Sequence, residues 1–235
     1  MFDYILKREG VFIAFLTFML YTAVYFFERG SASELQIPLD LISISVTTIS
    51  DDLIYCYLYL FPMLTISFAA LYWGRKAEEK KAFSFLVIAF VYVLLSYLMI
   101  GTDKKTVLFS IFMSGILIHL VNRITPLKNT PKNPSKNDGA KYYLNQVIDV
   151  AAVLFFISFT FVGLGRGAVY KDEFKTFVMN GKEYAIVKVY GENMFVWQVT
   201  QGKAEGKLTY FRVENVSGVE LIRKSLRSDH LRALR

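Results

Sequence analysis

The sequence predicts an α-helical multi-pass membrane protein of about five spans, followed by a small C-terminal β-sheet or barrel module. Three observations carry this reading. The 235 residues are 54% hydrophobic and 16% aromatic, with positive mean hydropathy, well above an ordinary soluble domain. Five apolar runs, at about 11–27, 53–74, 82–100, 106–122 and 147–165, approach the roughly 20 residues that cross a bilayer. After Lys171 the pattern changes to short alternating runs, two of them joined by Asn180-Gly181, a pair that supplies both positive-φ residues of a tight hairpin turn.

The first run, Val11–Phe27, is long for a cleaved leader, and Glu28-Arg29-Gly30-Ser31 has no clear small-x-small cleavage site. It therefore reads as a span. The second apolar stretch, Leu41 to Trp73, is interrupted by Asp51 and Asp52. As one helix its 33 residues would extend about 50 Å, beyond a hydrocarbon core of about 30 Å. Residues 53–74 alone are long enough. Ser50, Asp51 and Asp52 then mark either a helix cap, with carboxylates at the positive end of the dipole, or an acidic pore mouth. Residues 41–50 would rest at the interface or dip back to line a vestibule.

Loop charges orient the chain. Eleven Lys and Arg residues fall at the N-terminus and in loops 75–81 and 123–142, against three in loops 28–40 and 101–105. The basic side is cytoplasmic, so an odd number of crossings places the β module outside. Residues 1–125 thus form a membrane domain and 126–142 a basic, Pro/Asn-rich cytoplasmic loop. The fifth span covers 143–167, the β module 168–222 and a basic tail 223–235. Arg75, Lys76, Lys80, Lys81, Lys128, Lys132 and Lys136 are candidate contacts for lipid headgroups or a cytoplasmic protein. Gly163 and Gly167 form a small-xxx-small pair, marking either close helix approach or a helix end. In the tail, Leu226, Leu231 and Leu234 fall loosely on one helical stripe; a solvated terminus or contact with the membrane surface is expected.

In the β module, Asn180-Gly181, Gly191-Glu192-Asn193 and the expected loop Q-G-K-A-E-G separate four or five short strands. The segment Y-A-I-V-K-V-Y-G-E-N-M, through Tyr184, Tyr190, Gly191 and Glu192, resembles C-terminal β modules of small multi-pass bacterial inner-membrane proteins. That resemblance implies a bacterial membrane setting and no defined activity; some proteins of this general build act in phage defence or toxin immunity. Ser45-Val46-Thr47-Thr48-Ile49 followed by Asp51 resembles the start and closing aspartate of a potassium-channel selectivity filter. Ser50 stands alone where that family has Gly-Tyr-Gly, so potassium selectivity is not implied.

Chemistry-bearing residues in the spans are sparse. Cys56, the single cysteine, lies near the outer end of span two, and His119 near the inner end of span four. Most of the bilayer separates them, too far for a nucleophile–base pair. Asp51 and Asp52 project about 100° apart on a helix. His119 and Asp149 are candidate intramembrane polar residues, or interfacial ones within reach of water. No enzyme, cofactor, metal or nucleic-acid partner is expected. The expected role is that of a homo-oligomeric membrane scaffold, sensor or protective component acting through protein contacts in the lipid bilayer. The alternative is an oligomeric cation channel with Asp51 and Asp52 at its outer mouth.

Overall fold

The computed structural model describes residues 9–74, 78–101, 104–124, 139–169, 173–216 and 218–226. Among these residues the chain forms five α-helices, then five strands: α1 (Glu9–Glu34), α2 (Val46–Gly74), α3 (Glu78–Met99), α4 (Lys104–Ile124), α5 (Gly139–Ala168), β1 (Glu173–Met179), β2 (Lys182–Tyr190), β3 (Asn193–Thr200), β4 (Lys203–Arg212) and β5 (Ile222–Ser225). Three helices are long and apolar enough to cross a membrane, over Thr48–Gly74, Ala82–Met99 and Val147–Ala168; the apolar part of α4, Thr106–Asn122, is shorter.

The bundle core joins Phe27, Tyr59, Ile88, Tyr92, Met113 and Leu164. Buried hydroxyls tie it together: Tyr59 to Ser96 at 3.3 Å, Tyr92 to Thr160 at 3.0 Å, and Ser84 donating to the Ala70 carbonyl at 2.7 Å. In an apolar surround each hydroxyl needs such a partner. Pro62 lies inside α2, where it removes one backbone N–H.

Glycines set the helix spacing. A Cβ on Gly30 would collide with the Val162 carbonyl oxygen, one on Gly165 with that of Phe27, and one on Gly167 with that of Met99. The pair Gly163 and Gly167 therefore serves close approach, here to the end of α3. Gly165, between them, admits α1. Ser31 donates a 2.9 Å hydrogen bond to the Gly165 carbonyl at the same crossing.

Helix ends differ from expectation at two places. α2 begins at Val46, and its cap is Ser45, whose Oγ accepts from the Thr48 N–H at 3.2 Å. Ser50, Asp51 and Asp52 lie in the following turn rather than at the start, because Ser45 satisfies an early orphan donor first. Residues 46–50 are thus helix, and the separate segment before it shrinks to a 3-10 turn at Leu39–Leu41 and a short link. α1 ends with Gln36 at φ 58°, Ile37 N–H bonding Ala32 O at 2.9 Å and Gln36 N–H bonding Ser33 O at 3.3 Å. This Schellman arrangement folds Ile37 back beside Ala32, and both are buried in one core.

The sheet is an open antiparallel one, not a barrel, in the order β4-β3-β2-β1-β5. Asn180-Gly181 makes the expected turn, with φ of 53° and 74°. Gln201-Gly202 makes a second, with φ of 52° and 76°, so the expected loop 201–206 is a two-residue turn and β4 starts at Lys203. β5 extends past the expected end of the module: Lys224 pairs with Glu183 at 2.6 Å, and Leu226 is buried in the sheet core instead of lying on a tail helix. Residues 227–235 lie outside the described residues.

Both sheet faces are apolar. One packs Phe174, Phe195, Trp197 and Leu226 against Ala32, Leu35 and Ile37 at the end of α1. The other packs Phe177, Met194 and Val196 under Val216. The module therefore covers one face with the bundle and one with its own chain, which answers the marginal size of so small a sheet.

Gly165→Leu should destabilise the protein by about 1–3 kcal/mol or more, as overpacked sites do. Gly115→Ala, with open space around the added Cβ, should be neutral or stabilising by up to about 1 kcal/mol. Thermal unfolding of the detergent-solubilised chain measures both; equal behaviour of the two variants would contradict the close α1–α5 approach.

Candidate functional site

Glu28 is fully buried on α1. Two side chains of β2 reach it. The Tyr190 hydroxyl donates a 2.6 Å hydrogen bond to Oε2, and Lys188 Nζ lies 2.6 Å from Oε1, an ion pair rather than an aligned hydrogen bond. Lys188 Nζ also sits 5.6 Å from the centre of the Tyr190 ring. An isolated carboxylate would be strongly disfavoured here; a cation and a hydroxyl donor together make it tolerable.

The local backbone explains how β2 delivers both groups. Strict alternation would put Tyr184, Ile186, Lys188 and Tyr190 on one face. The β2–β3 ladder instead slips between Ile186 and Lys188: Ile186 pairs Val196, and Lys188 pairs Phe195. This bulge reverses the facing. Tyr184 and Ile186 join the far core, whereas Tyr190 joins the core against the bundle and Lys188 meets Glu28.

Beside this cluster is a cavity of about 640 Å³, between α1, α2, the end of α5 and strands β1 and β2. Its polar wall carries Ser31, Ser45, Thr48, Asp52 and Lys188. Asp52 is 5% exposed. Its charge reaches Tyr190: burial pushes that phenol well above its ordinary 10.0, and Glu28's charge and hydrogen bond, then Asp52's charge, push it further.

The residues singled out by sequence separate into distinct places. Asp52 lines the cavity. Ser50 is exposed on α2, and Asp51 is in the same turn. His119 and Asp149 meet, with Nε2 and Oδ1 3.9 Å apart between α4 and α5. Cys56 is buried in the bundle core one turn from Asp52. Lys80 and Lys81 lie in the first turn of α3. Arg75, Lys76, Lys128, Lys132 and Lys136 fall outside the described residues. Nothing in the sequence alone singles out Glu28 or Lys188. The one signal available was that Glu28 directly follows the apolar run Val11–Phe27, where a charge either snorkels or is paired.

Comparison with known protein families, curated proteins and solved structures finds no match.

Removing Lys188 alone leaves the buried carboxylate without its cation, held only by the Tyr190 hydroxyl. Lys188→Met should therefore cost about 3–5 kcal/mol, and adding Glu28→Gln should recover a large part of it; additive losses in denaturant unfolding would contradict the pairing. A second expectation concerns pH. Tyr190 holds its proton more tightly folded than unfolded, so its contribution is full below about pH 10 and falls as pH rises beyond that. Tyr190→Phe should lower stability at neutral pH by about 1–3 kcal/mol and flatten the alkaline fall. An unchanged slope above about pH 10 would show that another group titrates there.

Proposed function

We propose that the chain is a non-enzymatic integral membrane protein that acts through contacts, as a homo-oligomeric scaffold or sensor whose β module is fixed to its helical bundle. The observation that carries this reading is the Glu28–Lys188–Tyr190 cluster. A contact or signal received by the sheet passes directly to α1, because moving the sheet would expose a buried carboxylate to an apolar surround.

Three spanning-length helices support membrane insertion, and α1 and α4 complete five crossings in this reading. The Lys and Arg bias puts the N-terminus in the cytoplasm and the sheet outside. The resemblance at Tyr184, Tyr190, Gly191 and Glu192 supports a bacterial inner-membrane setting and no defined activity; a protective role, in phage defence or immunity, is one form that action through contacts would take. The basic residues of 75–81 and 123–142 are the cytoplasmic contact surface.

A cation channel is the second reading, favoured by Ser45, Thr48 and Asp52 lining a cavity at the sheet-facing end of α2. Ion current through the reconstituted full chain that drops severalfold in Asp52→Asn would favour the channel; absence of current at all voltages would remove it. For the scaffold, crosslinking in native membranes should recover a defined oligomer and a partner. Recovery should weaken when the basic residues of 75–81 and 123–142 are changed to Gln. A monomer without partners would contradict it. External protease should reach the sheet in opened outer envelopes with the inner membrane intact; protection there would reverse the orientation.

A further inference from the structure

The side of the sheet turned away from the bundle carries two cations next to each other. We propose that this face and the adjoining edge strand β5 form a docking site for an extended acidic segment of a partner protein. This deepens the contact-based reading above, on which it rests, by naming a surface and the chemistry of its partner.

The register fixes which side chains meet. Lys175 on β1 lies directly opposite Arg223 on β5 and opposite Ile186 on β2. Ile186 belongs to the core on the far side of the sheet from α1, so Lys175 and Arg223 project to that side too. Both are exposed. Like charges at directly opposed positions repel. The other cation of β5 is answered: Lys224, on the bundle side, pairs with Glu183 at 2.6 Å. Among the described residues, no carboxylate forms an ion pair with Lys175 or Arg223. Glu173 shares their side but sits two residues along, opposite Ser225. A cation on an edge strand discourages unwanted pairing, but Lys175 lies on an interior strand.

The backbone beside this pair is open. β5 ends the strand order β4-β3-β2-β1-β5. The Thr176 hydroxyl donates to the Ile222 carbonyl at 3.2 Å, so Ile222 turns its backbone groups toward β1. The N–H and C=O of the next residue, Arg223, therefore point outward. A strand added here would form a hydrogen-bonded pair with Arg223, and its side chain at that position would stand beside the guanidinium. A carboxylate there offsets the repulsion from Lys175 and can accept two parallel N–H donors from Arg223. The next residue of the added strand would lie on the bundle side against Ile222, which is 46% exposed, and should be apolar. Opposite Ser225 the added strand should be neutral, because Glu173 is already there. The partner is thus an extended segment with one acidic residue beside an apolar one, bound by strand addition. The Lys175–Arg223 side faces away from α1, which argues against the surrounding bilayer as the occupant.

The test uses the full chain in detergent and a fluorescent peptide, Val-Thr-Val-Glu-Val-Thr-Val. It should bind saturably and at least tenfold tighter than the same peptide with Gln at its centre. N-methylation of the amides that face β5 should abolish binding. Arg223→Gln should lose the tenfold preference, and Lys175→Gln should weaken it severalfold. Each substitution alone should also raise the unfolding temperature of the free chain, because each removes one of two opposed cations; a fall in both would contradict the repulsion. Equal binding of the Glu and Gln peptides overturns the proposal without recourse to any variant. So does an unchanged preference in folded Arg223→Gln. Full binding of the N-methylated peptide removes strand addition as the mode. Binding of short-chain phosphatidylglycerol in place of the Glu peptide, lost in Arg223→Gln, would replace the protein partner by an anionic lipid. Self-association lost in Arg223→Gln, with the peptide inert, would replace it by a second copy. If no peptide binds while crosslinking still recovers a partner through the basic loops, this surface alone fails; if crosslinking recovers none, the contact-based reading fails.

Discussion

A carboxylate with no exposure to water governs how the two halves of this protein meet. Glu28 belongs to the first helix, while its cation and hydroxyl donor, Lys188 and Tyr190, belong to a strand some 160 residues later. Separating the halves would leave a buried charge without its partners, a far larger penalty than the loss of a surface ion pair. The pair thus does more for specificity than for net stability: an apolar substitute could pack as well, but it would not fix which part of the strand faces the bundle. The surrounding core of Ala32, Leu35, Phe174, Phe195 and Trp197 supplies the non-directional part of the attachment.

Other features place Glu28 where it can be reached. The glycines at 30 and 165 let α1 lie against α5 without side chains between them, so the strand following α5 emerges beside α1. The Schellman end of α1 turns Leu35 and Ile37 under the sheet. The bulge in β2 then rotates Lys188 and Tyr190 inward while leaving Tyr184 and Ile186 in the opposite core, where Tyr184 contacts Phe177 and Phe211. A regular strand would have aimed all four side chains one way. The cavity is a consequence of the same arrangement: bundle and sheet touch at α1 and leave a space over the start of α2.

Much of this fold is legible in the sequence. Apolar length and loop composition give the helices, and Asn180-Gly181 gives the first hairpin, because both depend on local chemistry. The start of α2 was less legible. Ser45, Ser50, Asp51 and Asp52 are all competent caps by residue type, and only the packing of the chain before Val46 selects Ser45. The site was scarcely legible at all. Asp52 stood out as a charge within an apolar run, and it does line the cavity. Glu28 and Lys188 did not stand out, since a charge beside a span and a lysine in a strand are ordinary on the surface; what distinguishes them is a partner distant in sequence. The bulge is equally hidden, because inserting one residue leaves a strand's composition unchanged and alters only its phase.

Through Glu28, bundle and sheet are expected to open as one cooperative unit. Hydrogen exchange of the full chain in lipid nanodiscs tests it most directly. Amides in the last turns of α1, Ala32–Ile37, and those of β2 and β3 should exchange with a common opening free energy, and Glu28→Gln should lower protection in both regions together. Independent opening of the two regions, with Glu28→Gln loosening the sheet while the end of α1 keeps its protection, would contradict it.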